Sequence, residues 1–135
     1  MRYTLLLHYV EASPEDLGEE MLAEAQKAFA SYAATLHQAG LLISGEVLQP
    51  SPNSTTVRVT DGQVRVQDGP FADTKEQLGG TFVIDVADLD AAIGWARQAP
   101  AANWGTVEIR PGAVHVVDGT WQPNSPSSAP PPPLT

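Results

Sequence analysis

The sequence predicts a two-layer α+β sandwich, an antiparallel sheet with two helices on one of its faces. Three observations lead there. Short apolar segments with period-two alternation recur along the chain, two other stretches carry apolar residues at three- and four-residue spacing, and each helical stretch sits between strands. A chain of 135 residues with 42% apolar content can bury one core, so a single principal domain is expected.

The elements follow in order. Residues 2–10 are apolar enough to be a central strand. Ser13-Pro14-Glu15-Asp16 starts a helix, with Ser at the cap, Pro at the first helical position and acids in the first turn. Gly18 is expected to interrupt that first turn. From about Glu19 onward Leu22, Ala25, Phe29, Tyr32 and Leu36 share one face, and Gly40 provides a left-handed end. Leu41–Leu48 reads as a second strand, stopped by Pro50 and Pro52. Thr55–Thr60 and Gln63–Gln67 flank Asp61-Gly62, the dipeptide of a tight hairpin. Thr81–Val86 is a further strand. Asp88 caps a second helix through Leu89, Ala92, Ile93 and Ala96, which Pro100 ends, and Thr106–Arg110 closes the sheet. This order is the split β-α-β of a ferredoxin-like sandwich. Residues 1–111 make up the domain. Residues 112–121 form a C-terminal extension in which Ala113–Val117 is expected as an extra edge strand, available to a partner subunit. Residues 122–135 hold six prolines with Ser and Asn and are expected to be a solvated, flexible tail; a polyproline peptide for an aromatic groove is the competing reading.

Composition removes several function classes. Seven basic against sixteen acidic residues give a net charge of −9, which argues against nucleic acid or an anionic membrane as a partner. With no cysteine, thiol catalysis and disulfides are excluded. The opening apolar run is too short to span a bilayer, so a cytoplasmic location is the default. His8, His37 and His115 have no paired spacing, so no metal site is expected, and no motif calls for a cofactor.

The segment richest in signals is Asp68-Gly69-Pro70-Phe71-Ala72-Asp73-Thr74-Lys75-Glu76-Gln77-Leu78-Gly79-Gly80. It joins a turn, four charged side chains and a glycine pair that lets the backbone approach another group closely. This stretch resembles the signature of the YCII-related family, in its DGPF-domain branch. Met1–Val10, Gly40–Pro50 and Thr81–Pro111 are similar to that family's other segments, so the resemblance covers roughly residues 1–111. It implies a dimeric α+β barrel, a homodimer whose two sheets pack face to face, and a partnership of some members with extracytoplasmic-function sigma factors. In catalytic members it also implies a His–Asp pair. The corresponding positions here are Gln26 and Gln38, with His37 beside the second, and neither glutamine can serve as an acid or base.

Candidate site residues come from strand alternation. His8, Arg58, Glu108 and Arg110 are expected on the sheet face that the helices leave uncovered. There the arginines would bind a carboxylate or phosphate, and His8 would be an acid or base. Glu46 stands in an otherwise apolar strand and is expected as a buried carboxylate, functional or paired with Lys75. Asp73, Lys75 and Glu76 are candidates for a pocket mouth, the competing reading being ion pairs across a subunit interface. Asp68 would cap the Gly69-Pro70 turn and Phe71 would plug the core. Three functions remain open: a small-molecule binding protein with its ligand near the Asp68–Gly80 loop, a cofactor-independent acid/base enzyme using His8 or Glu46 on a small anionic or aromatic substrate, and a protein-interaction module.

Overall fold

A computed structural model describes residues 1–125, in which one four-stranded antiparallel sheet carries the helices on one face. Its strands are β1 (Arg2–Tyr9), β2 (Leu42–Val47), β5 (Gln77–Asp85) and β6 (Gly105–Pro111), in the spatial order β2-β5-β1-β6. That is the ferredoxin-like order, with the first strand central, and the sheet does not close into a barrel. Two hairpins stand apart from it: β3 (Thr55–Thr60) with β4 (Gln63–Asp68), and β7 (Val114–Val117) with β8 (Thr120–Pro123). The proline-rich stretch 126–135 lies outside the described residues.

Helix α1 (Pro14–Gln38) begins as its sequence predicts, with Ser13 Oγ accepting from the Asp16 N–H at 3.1 Å. Gly18, at φ 78° and ψ 160°, breaks it after the first turn. At the other end Gly40 is left-handed, and the Leu41 N–H reaches back to the Leu36 carbonyl, the bond of a Schellman cap. Helix α2 (Leu89–Ala96) is capped by Asp88, whose carboxylate accepts from the Ala91 N–H at 2.9 Å. Only Ala92 and Ala96 of the expected α2 stripe are buried; Leu89 and Ile93 are exposed, because this two-turn helix lies on the sheet along a narrower line.

Alternation along β1 decides where the core sits. Tyr3, Leu5 and Leu7 face the helices and are buried, while Thr4, Leu6 and His8 face the other way. Leu5, Leu7, Leu36, Ile84 and Val86 are the large side chains removed completely from water. Each contributes about 1.5–3 kcal/mol relative to an exposed position. Tyr32 packs edge-on against Phe82, ring centres 5.2 Å apart, and its hydroxyl donates to the Trp95 carbonyl at 2.8 Å. This bond ties α1 to α2 above the sheet.

Three expectations are corrected. The Thr55–Thr60 strand belongs to the detached hairpin, so Arg58 does not share a sheet face with His8. Ala113–Val117 is not an edge strand of the main sheet; it folds back at Asp118-Gly119 onto β8, which takes in Gln122 and Pro123 of the stretch expected to be tail. Phe71 is 84% exposed and plugs nothing, because the loop carrying it leaves the core at Gly69, where φ is 99°.

Burial raises the ionisation of the Tyr32 phenol well above its ordinary value. In the unfolded chain it ionises near pH 10, so its contribution is complete below about pH 10 and is lost as pH rises through the folded value. Tyr32→Phe should cost about 1 kcal/mol in urea unfolding near neutrality, the worth of the lost hydrogen bond. Above pH 10 the variant should lose stability less steeply than the wild type in the same measurement.

Candidate functional site

The uncovered sheet face and the 69–77 loop meet at an open groove of about 1060 Å³. Its polar groups are set by two strands and the loop before β5. His8 stands at the end of β1, Thr106 opposite it on β6, and Glu108 two residues further along β6 on the same face. His8 Nε2 lies 3.1 Å from Glu108 Oε1. The Thr106 hydroxyl donates to the Glu76 carboxylate at 3.0 Å, which holds the loop against β6. Leu48, Pro50, Pro70, Phe71 and Leu78 supply apolar walls.

The course of β5 beside the groove follows from Gly79 and Gly80. Leu7 pairs with Gly80 but His8 pairs with Leu78, so Gly79 is the extra residue of a bulge. A side chain on Gly79 would overlap the Tyr9 ring, and one on Gly80 would come within 2.8 Å of the Glu46 carbonyl. The sequence expectation of close backbone approach is met at both positions. The Gly79 carbonyl accepts from the Tyr9 hydroxyl at 3.2 Å and from the Leu48 N–H at 2.8 Å. Partial burial, and secondarily the Glu11 charge, raise the Tyr9 phenol above its ordinary range, so it stays a donor.

The rim is also tied down. Both oxygens of Glu11 accept from Ser51, one from its N–H and one from its hydroxyl, each at 2.7 Å. Inside the loop, the Gln77 side chain donates to the Ala72 and Thr74 carbonyls at 3.0 and 3.1 Å, and the Thr74 hydroxyl donates to the Glu76 carbonyl at 2.6 Å. The loop is thus built around its own polar side chains.

Of the predicted site residues, the structure brings together His8, Glu76 and Glu108. Arg110 shares their sheet face but does not line the groove. Asp73 and Lys75 are exposed and do not line it either, and Asp68 is an exposed residue at the end of β4. Glu46 is exposed, which corrects its reading as a buried carboxylate: β2 is an edge strand, and its Glu46 side faces away from the helices. No ion pair joins Glu46 to Lys75 among the described residues. Gln26, His37 and Gln38 are exposed on α1, the helix that covers the opposite face from the groove.

Sequence reasoning missed Thr106, Leu48, Leu78 and the Glu11–Ser51 clasp. Thr106 was within reach, since alternation from Glu108 puts it on the same face. The clasp pairs residues forty positions apart and carries no local signal. Among the described residues, no group of three or more His, Asp or Glu side chains is placed to hold a metal ion, and no helix is long and apolar enough to cross a membrane.

The model of the YCII-related domain matches residues 1–113. An uncharacterised protein of Rhizobium meliloti (strain 1021) is 44% identical over 80 residues, which are 58% of this chain and 64% of that protein, somewhat under two thirds of its length. The chain belongs to the YCII-related family.

Proposed function

We propose that this member of the YCII-related family is a homodimer that binds a small molecule in the groove between its sheet and the Asp68–Gly80 loop. The observation that carries this is the convergence of His8, Glu108 and the Glu76–Thr106 pair on one open space with apolar walls. Binding sites for small molecules have this composition, an apolar lining with a few polar groups that fix orientation. The Asp68-Gly69-Pro70-Phe71 sequence is what supports the DGPF branch, and its Pro70 and Phe71 line the groove.

The groove carries two carboxylates and a histidine, with no lysine or arginine in its lining. A ligand with an apolar body and a cationic or hydrogen-bond-donating group suits that charge pattern better than an anion does. Phenethylamine is a direct probe of it. Titrated into the protein at low ionic strength and followed by NMR, it should bind, and Glu76→Gln and Glu108→Gln should each weaken it about tenfold, equivalent to 1.4 kcal/mol. Unchanged affinity in both variants would sink the groove as its site.

The His8–Glu108 contact favours a second reading, acid/base catalysis at the same place. A carboxylate only accepts, so Nε2 carries the proton and Nδ1 of the neutral ring is left as the base. Long-range proton–nitrogen correlation of the His8 ring should show the Nε2–H tautomer, with Glu108→Ala mixing the two forms; the same mixture in the wild type would remove the ordered base that this reading requires.

Dimerisation is supported by what the helices leave open. Leu6 and Val83 lie on the uncovered sheet face. A second sheet packed there would bury them. Light scattering on the eluting protein should give twice the chain mass, and Val83→Lys should give one chain mass with an unchanged far-ultraviolet spectrum. A wild-type monomer at micromolar concentration would overturn the dimer.

A further inference from the structure

The detached β3–β4 hairpin has a chemistry of its own, separate from the groove. Its two faces differ sharply. Val57, Val59, Val64 and Val66 form one side, and Thr56, Arg58, Thr60, Arg65 and Gln67 lie on the other. On that polar side Arg58 and Arg65 are direct cross-strand partners. Like charges placed directly opposite each other destabilise a strand pair, and an isolated two-stranded hairpin has little stability to lose. In a chain with seven basic and sixteen acidic residues, a carboxylate partner for either would be easy to provide. Yet neither guanidinium is in an ion pair among the described residues.

The arrangement is concave as well as charged. Both arginines, Thr56, Thr60 and Gln67, with Val57 from the edge of the other side, line a cavity of about 560 Å³ together with Pro70 and the exposed ring of Phe71. Two adjacent guanidinium forks match the oxygens of a doubly charged anion, and threonine hydroxyls and a glutamine amide can donate to oxygens the arginines leave free. Phe71 offers a flat apolar face beside them. We infer that the polar face of the β3–β4 hairpin is an anion site of its own, and that it takes a small aromatic phosphate monoester. The phosphate sits between Arg58 and Arg65, and the aromatic body lies against Phe71. Neutralising the paired arginines, the ligand would remove the repulsion across the hairpin and fix it relative to the 69–77 loop. The site stands independently of the amine-accepting groove, with which it shares only Pro70 and Phe71.

The test is titration of the full chain with phenyl phosphate at low ionic strength, read by calorimetry and by NMR of the protein. Arg58→Gln and Arg65→Gln should each weaken binding at least tenfold. Phe71→Ala should weaken phenyl phosphate severalfold while leaving inorganic phosphate unchanged. Benzoate, with one charge, should bind more weakly than phenyl phosphate. Glu76→Gln and Glu108→Gln should leave phenyl phosphate within twofold, so this site and the groove succeed or fail separately. Should the glutamine variants unfold the hairpin, Arg65→Lys keeps the charge without the fork and should still bind less tightly. Absence of binding, or full affinity in both arginine variants, overturns the inference. So does a change in oligomeric mass in those variants without loss of phosphate binding, which would assign the arginines to a contact between chains.

Discussion

The side-chain alternation of β1 is the constraint on which the rest of the molecule depends. This strand is hydrogen-bonded on both edges, to β5 and to β6, so its register fixes theirs. Tyr3, Leu5 and Leu7 must all face the helices together, since a shift of one residue would send Thr4, Leu6 and His8 inward instead. No one-residue slip is tolerable with Leu5 and Leu7 completely buried. The same alternation therefore delivers His8 to the open face as a consequence of core packing. Glu108 meets it there because β6 pairs with β1 in register and half-buries Val107 and Ile109 of its other side against the core. The bulge at Gly79 adds the remaining adjustment, letting β5 change step beside His8 without disturbing Leu7.

Charge is distributed unevenly around this frame. The groove holds carboxylates beside a histidine, whereas the hairpin presents paired arginines around the corner of the same Pro70-Phe71 wall. A strongly acidic chain has an overall field that repels anions, so an anion is drawn only where basic groups are locally concentrated. The exposed valines on the reverse of the hairpin, each more than 60% accessible, add an apolar surface that most monomers would not display together. A partner chain against that surface would be consistent with the dimer proposed from the uncovered sheet.

Much of the fold was legible because its signals are local. The Ser13 and Asp88 caps, the break at Gly18, the left-handed Gly40 and the Asp61-Gly62 turn all act within a few residues, and each is found where the sequence put it. Strand faces were equally readable from period-two alternation. Strand neighbours were not. Glu46 looks buried if Leu41–Leu48 is taken as interior, but exposure depends on β2 lying at the edge, which is decided by pairing with the distant β5, Glu46 opposite Thr81. Arg58 was assigned the correct face of its own strand and the wrong sheet, for the same reason. Phe71 looked like core because it is aromatic. Its exposure follows from the direction in which Gly69 turns the chain, and the dipeptide Gly-Pro does not specify that direction relative to a distant sheet.

The candidate site shows how far such reasoning reaches toward function. His8 and Glu108 were found together because alternation puts both on one face, while Asp73 and Lys75 were grouped with Glu76 by proximity in sequence alone. Of these three only Glu76 lines the groove, alongside Ala72, Thr74 and Gln77, while Asp73 and Lys75 between them are exposed and do not. A surface loop with side-chain bonds such as those of Thr74 and Gln77 is held without a core, by groups whose loss exposes no apolar surface. Such a wall can be re-shaped by substitution while the sheet beneath it stays fixed. Under the proposed binding function, specificity resides in residues 69–77 and the polar face of the β3–β4 hairpin, and the conditions for folding in β1 and the face of α1 that covers it.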